Sequence, residues 1–297
     1  MTNRREFMKF TAVAGLSAFA PVTMAEASKL PTRAIPGTDE MLPIVGLGNA
    51  KVFAAGDVAA SKRVLKTFFD YGGAYVDVSG PSRFTVGKII ADSNAQADTF
   101  LGNYLSGENL AELRAEIEEL QATQGSGPLD LSMKRDVAGL AARADEFRAL
   151  KEEGQLRNVG IGRHNRRFYP AIMELMRDKV VDFIQVNYSM LEPEAADEIL
   201  PLAQDNDIAV LINRPFINGD YFGLVRGHDL PEWAAEFDCE SWAQFSLKYI
   251  LSNPAVNCVL TETSNPKHVV DNLGAGFGAM PDESMRQKMR EHLLSLA

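Results

Sequence analysis

Asp77, Tyr104, Arg135, Arg163, Asn187, Asn213 and Glu262 each stand at or just beyond the end of a short apolar run. If they meet, the chemistry they offer is narrow. Two carboxylates and a phenol can exchange protons with a substrate. Arg135 and Arg163, with Arg83 and Arg214 nearby in sequence, can grip an anion bidentately. The plainer alternative pairs each arginine with a carboxylate such as Asp77 or Glu262, because ion pairs commonly neutralise such clusters. Metal chemistry is not expected: Cys239, Cys258 and four scattered histidines give no ligand spacing. Whether the two cysteines bridge depends on a distance that sequence does not fix.

The elements that must position these residues alternate regularly. Strands are predicted at 44–47, 74–77, 99–101, 129–132, 158–162, 183–187, 209–213 and 257–260. Amphipathic helices are predicted at 57–71, 85–91, 109–124, 136–153, 168–177, 192–206, 241–252 and 266–273, the seventh opened by a Ser241 cap. A last helix near 281–296 packs outside. This rhythm predicts one α/β domain, a (β/α)8 TIM barrel over residues 28–297, rather than an open doubly wound sheet. In such a barrel the functional side chains follow the C-terminal ends of the strands, where the residues named above fall.

Composition narrows the partners. Acidic residues outnumber basic ones by 40 to 30, for a net charge of −10, which repels nucleic acid and anionic membrane surfaces. A small-molecule ligand, such as an anion, is expected instead.

Several segments, in this order, resemble the aldo-keto reductase family. Leu42-Pro43-Ile44-Val45-Gly46-Leu47-Gly48 is similar to its first strand, and Gly72-Gly73-Ala74-Tyr75-Val76-Asp77 to its second, with the catalytic aspartate. The likeness continues through 154–160, 183–189 and Asn213-Arg214-Pro215-Phe216, and ends at 263–272. The resemblance implies an NAD(P)H-linked carbonyl oxidoreductase lineage with an Asp–Tyr–Lys–His tetrad at the barrel mouth. Asp77 matches the aspartate. Ser82 falls where the tyrosine is expected, Tyr104 where the lysine closes the third strand, and Arg135 where the histidine closes the fourth.

The departures matter chemically. A serine hydroxyl is too weak an acid to replace a tuned phenol, and Arg135 can polarise a carbonyl but not deliver a proton. On the cofactor side the resemblance implies roles for Gln185, Asn213, Thr263, His268 and Asn272. Gly162-Arg163-His164 replaces the family's carboxamide-holding pair, and Glu262 opposes the phosphate that distinguishes NADP from NAD. Weak binding of NADP or NAD is therefore expected. Three readings follow: a pseudoenzyme with an impaired tetrad, an active oxidoreductase using Tyr104 as its acid, or an anion-binding barrel using Arg83, Arg163 and Arg214.

The first residues read as an address. Arg4-Arg5-Glu6-Phe7-Met8-Lys9 precedes an apolar run from Phe10 to Ala20, and Ala25-Glu26-Ala27 offers a cleavage site before Ser28. The run is about half of the ~20 residues a membrane-crossing helix needs. The pattern resembles a twin-arginine signal peptide over residues 1–27, which implies recognition by the export machinery and a periplasmic destination. Substituting Arg4→Lys and Arg5→Lys together should hold the protein in the cytoplasm, as read by fractionation. Mass spectrometry of the exported protein should find Ser28 at its N-terminus. Efficient export of the double variant would overturn the twin-arginine reading.

Overall fold

Two-residue alternation decides which side chains this chain turns inward. In the strand Tyr75–Val78, Tyr75 and Asp77 face one side and Val76 and Val78 the other, and all four are buried. A strand covered on both faces reads as a nearly continuous apolar run, as a parallel sheet lined by helices requires.

The computed structural model describes residues 30–125 and 127–296, so the proposed leader, with its Ala27–Ser28 junction, lies outside the described residues. A short antiparallel hairpin comes first: β1 (Thr32–Ala34) and β2 (Met41–Pro43). Eight parallel strands follow: β3 (Val45–Leu47), β4 (Tyr75–Val78), β5 (Phe100–Tyr104), β6 (Leu129–Lys134), β7 (Leu156–Gly162), β8 (Phe183–Asn187), β9 (Ala209–Asn213) and β10 (Cys258–Thr261). They pair in sequence order, and β10 returns to β3 with Val259 beside Val45 and Thr261 beside Leu47, closing the barrel. The expected (β/α)8 architecture is therefore the one observed, and each expected strand is present within a few residues of its predicted limits.

Closure divides the core into two layers. Inside the barrel pack Tyr75, Leu131, Met133, Phe183, Leu211 and Leu260, with Ile35 and Leu42 contributed by the hairpin. Tyr75 meets the Phe100 ring edge-on at 5.5 Å, and Phe100 lies 5.9 Å from Phe183. Outside, Val76, Ile161, Ile184, Val210 and Val259 pack under the helices. The hairpin was not anticipated from sequence. Its strands have three residues each, and the Pro36-Gly37 turn, with Gly37 at φ 73°, reads as a loop.

Helix starts follow local chemistry. Asp57, Asn109, Ser241 and Asp282 each accept a hydrogen bond from a backbone N–H three residues on, capping the helices Val58–Asp70, Leu110–Gln124, Trp242–Leu251 and Glu283–Leu294. The last of these buries Met289 and Leu293 against the barrel, as the extra C-terminal helix should. Two expected helices are interrupted. The stretch 136–153 forms Val137–Ala142 and Ala144–Glu152, because Arg143 leaves helical geometry (φ −120°, ψ 18°) while its guanidinium donates to the Gly107 carbonyl. The stretch 192–206 keeps only Ile199–Asp205 as α-helix, after a 3-10 turn at Glu194–Ala196 and a break at Glu198 (φ −136°). Cys239 and Cys258 are both buried as free thiols.

Candidate functional site

The alternation that fills the barrel also delivers its mouth. One step beyond the last apolar layer, β4 presents Asp77, β5 Tyr104, β8 Gln185 and β9 Asn213. The same step places Arg135 and Glu262 just past β6 and β10, while Arg163 directly follows the inward Gly162 at the end of β7. On β6, Lys134 precedes Arg135 and so takes the opposite side. It is buried with its ammonium donating to the carbonyls of Leu105 (3.0 Å) and Gly107 (3.2 Å), and cannot serve as a lysine at the mouth.

Tyr104 crosses the mouth. Its hydroxyl donates to Gln185 Oε1 at 2.8 Å, and Asn213 Nδ2 lies 3.4 Å from the same oxygen. The phenol fits only because β7 ends in glycine: a Cβ on Gly162 would lie 2.0 Å from the Tyr104 oxygen. Arg135 lies over the Tyr104 ring, with its guanidinium carbon 4.0 Å from the centroid. Burial, reinforced by the nearby Asp77 charge, pushes the phenol well above its ordinary pKa of 10, and Arg135 and Arg163 only partly offset this. Tyr104 is therefore a poor proton donor at neutral pH.

Asp77 sits beside this contact and accepts a hydrogen bond from Tyr75 Oη at 3.3 Å. Burial pushes its carboxyl up to about 7, against the influence of Gln185, Arg135 and Tyr75; Glu262 adds to the rise. Gln185 thus lies close enough to favour the Asp77 charge, yet its Nε2 makes no well-formed hydrogen bond among the described residues. Among the same residues the Nε of Arg163 and Oδ1 of Asn213 are likewise buried without partners. The Arg163 backbone N–H donates to the Gln185 carbonyl (2.8 Å), and its guanidinium lies over Phe168 at 4.3 Å.

Other expected site residues are held elsewhere. Ser82 opens the helix Ser82–Asp92 and is 1% exposed, its hydroxyl 2.6 Å from both the Ser79 carbonyl and Asn49 Oδ1. It fastens two loops together and has no open surface from which to act. Arg83, expected as an anion ligand, is instead buried in an ion pair with Glu116 and donates to the carbonyls of Tyr104 (2.7 Å) and Gly80 (3.0 Å). Glu116 in turn accepts from the backbone of Ser106 and Gly107, so the pair fixes the segment following Tyr104. Asn187 is engaged by Tyr169 and Glu192.

Beside the mouth lies a cavity of about 670 Å³, lined by Arg214, Phe216, Phe222, Glu262, Thr263 and His268, with Lys51 on its rim. Glu262 is open to this space, yet the surrounding protein raises its pKa, with Lys51 opposing. His268 lies 3.4 Å from Thr263 Oγ1. Arg214 adopts a left-handed backbone (φ 50°), with its guanidinium 3.8 Å from Glu192. Asn272 is buried in the helix Pro266–Gly274 and does not line the cavity. Sequence reading missed Gly162 as the partner of Tyr104, and Lys51, Phe216 and Phe222 as cavity walls. The inward glycines of Gly160-Ile161-Gly162 were the available signal. Among the described residues no group of His, Cys, Asp and Glu is placed to hold a metal, and no helix is long and apolar enough to cross a membrane.

With respect to a dinucleotide, the two ends of this region differ. The cavity, with its aromatic wall and the adjoining start of the helix Pro266–Gly274, suits a nucleoside. The mouth suits a nicotinamide poorly, because Gln185 Oε1 is already taken and the phenol lies against Gly162.

Residues 45–292 match the Aldo/keto reductase family. The NADH-specific methylglyoxal reductase of Escherichia coli (strain K12) is 32% identical over 82 residues, 28% of this chain and 24% of that protein. The chain thus matches that curated relative over about a quarter of its length. Among solved structures, an aldo/keto reductase from Klebsiella pneumoniae in complex with NADP and acetate superposes with a TM-score of 0.74 at 19% identity, covering 90% of this chain and 96% of that one. The holo form of an aldo-keto reductase from Bacillus halodurans gives 0.72 at 19% identity, with coverages of 90% and 96%. The glycerol dehydrogenase of Gluconobacter oxydans gives 0.69 at 19% identity, with 89% and 95%.

The Asp77 carboxyl supplies a test of this geometry. Its pKa in the fold, about 7, exceeds its ordinary 3.8, so the stability it contributes is full below about 3.8 and lost as pH rises to about 7. Wild type should therefore lose stability relative to Asp77→Asn across that window, with the difference levelling off above it, as read from urea midpoints. A difference independent of pH would mean that Asp77 is ionised in the fold.

Proposed function

This chain belongs to the aldo-keto reductase family, and we propose that it is an exported member in which carbonyl reduction has been lost or severely impaired. The observation that carries this reading is the bond from Tyr104 to Gln185: the Tyr104 hydroxyl donates its hydrogen bond to a buried amide oxygen rather than standing free at the mouth. A positioned acid accounts for about 10²–10⁴ in rate, and its loss alone would leave little turnover. Asp77 is poised near neutrality but has neither a lysine nor a free phenol to act through. Arg135 polarises without delivering a proton.

For the cofactor, binding of NADP or NAD is proposed to be weak, resting on the 670 Å³ cavity rather than on the mouth. The Glu262 carboxylate in that cavity disfavours a phosphate, so NADPH should bind no tighter than NADH. With the Arg4-Arg5 leader, the protein is proposed to act in the periplasm on a small-molecule ligand.

A second reading has one observation in its favour. The Arg135 guanidinium over the Tyr104 ring acts to lower the phenol's pKa, as an activating cation would. In that case Tyr104 is the acid of an active oxidoreductase.

Two measurements test these readings. Purified protein should show little or no NAD(P)H-dependent reduction of reactive test aldehydes, and Tyr104→Phe should change nothing. Robust reduction by wild type, abolished in Tyr104→Phe, would establish the active site with Tyr104 instead. In equilibrium titrations Glu262→Lys should improve NADPH relative to NADH by about 1–2 kcal/mol, the scale of a gained charge-assisted contact. An unchanged ratio would mean that Glu262 does not face the adenosine ribose.

A further inference from the structure

We propose that the mouth of this barrel is a receptor for a small organic carboxylate, held between the guanidinium groups of Arg135 and Arg163 above the Tyr104–Gln185 floor. The inference goes beyond the loss of reduction and does not depend on it. It begins with charge. Arg83, Arg166 and Arg214 all have a carboxylate within 4 Å. Among the described residues Arg135 and Arg163 have none, although both lie close enough to the Tyr104 hydroxyl to influence its ionisation.

The Arg135 guanidinium carbon lies over the Tyr104 ring, 4.0 Å from its centroid, and that of Arg163 over Phe168 at 4.3 Å. A guanidinium held flat on a ring offers its in-plane N–H fork to a planar carboxylate, and the proposed site requires this of both arginines. The two arginines converge because Arg163 directly follows Gly162, against which the Tyr104 hydroxyl is pressed, and Arg135 covers the same phenol.

Orphaned polar atoms point to the same place. Among the described residues, Arg163 Nε and Asn213 Oδ1 at this mouth are buried without a hydrogen-bond partner, and Gln185 Nε2 makes no well-formed bond although it faces the Asp77 carboxyl. Gln185 is 5% exposed. Buried donors left without acceptors carry their desolvation cost with no return, and they signal either a missing ligand or water. Arg163 Nε and Gln185 Nε2 are donors and suit carboxylate oxygens, while Asn213 Oδ1 accepts and suits a hydroxyl on the same small molecule. Repulsion from below is modest, since the Asp77 carboxyl is drawn towards neutrality by its burial.

Lactate carries both groups and is the probe of choice, with lactamide as its uncharged isostere and inorganic phosphate as an oxyanion without a carbon frame. Titration calorimetry on the mature protein, with no nucleotide present, should show lactate binding in the millimolar range or tighter. Arg135→Gln and Arg163→Gln should each weaken it at least tenfold. Arg167→Gln, which alters the other cation on Phe168, should leave it within about twofold. Lactamide should not bind. Circular dichroism and thermal melts of each variant separate lost binding from lost folding, and Arg135→Lys, which keeps the charge but loses the fork, should give an intermediate affinity. The proposal is overturned by no lactate binding at tens of millimolar, by equal binding of lactamide or phosphate, or by full affinity in a folded Arg135→Gln/Arg163→Gln variant. Because no cofactor or turnover enters the measurement, its failure leaves the reading of impaired reduction untouched, and the reverse also holds.

Discussion

The closed ring of parallel strands imposes one condition on everything else: every second side chain on each strand must fit within a fixed interior. Large inward residues can be seated only where nearby strands offer little volume. Tyr75 extends over Gly102, where a Cβ would lie 2.8 Å from its oxygen, and Tyr104 extends over Gly162. The interior of this barrel is thus solved by pairing bulk on one strand with absence on another, as close packing in a protein core demands. The polar mouth inherits the same geometry, being the next inward layer of the same strands.

The chemistry of the mouth follows from that inheritance. A phenol long enough to bridge from β5 to β7 and β8 has its hydroxyl engaged by the buried Gln185 amide oxygen. The cations around it are similarly divided. Arg83 lies on the helix after β4, where Glu116 and two carbonyls claim it, and its task is to hold the segment behind Tyr104. Arg135 and Arg163 lie just past their strands over aromatic rings, with no carboxylate within 4 Å among the described residues. The same residue type therefore performs two functions within a short distance, decided by whether a carboxylate reaches it.

Much of this was legible in the sequence, for identifiable reasons. Strands buried on both faces announce themselves as apolar runs, and the rule that function follows their C-terminal ends located Asp77, Tyr104, Arg135, Arg163 and Glu262 without coordinates. The break at Arg143 was hidden, because Ala-Ala-Arg-Ala-Asp-Glu is a good helical sequence and the interruption accompanies a bond to Gly107, far away in the chain. The fate of Arg83 was hidden for the same reason: Glu116 is 33 residues on. Ser82, which the resemblance puts at the tyrosine position, is buried under contacts from Asn49, which only the folded arrangement of two loops brings together. Local pattern fixes which way a residue faces, while long-range partners fix what remains for it to do.

The pressing of the Tyr104 phenol on Gly162 has a historical corollary. A side chain at 162 would displace the phenol from its present seat, since even a methyl would overlap its oxygen. A lineage that reached this state from a barrel with a side chain at that position had to lose it before, or together with, acquiring the tyrosine. The return journey is equally ordered: the tyrosine must go first, and only then can position 162 be refilled. Two residues on different strands therefore impose an order in sequence space, in which position 162 can be refilled only after the tyrosine has changed.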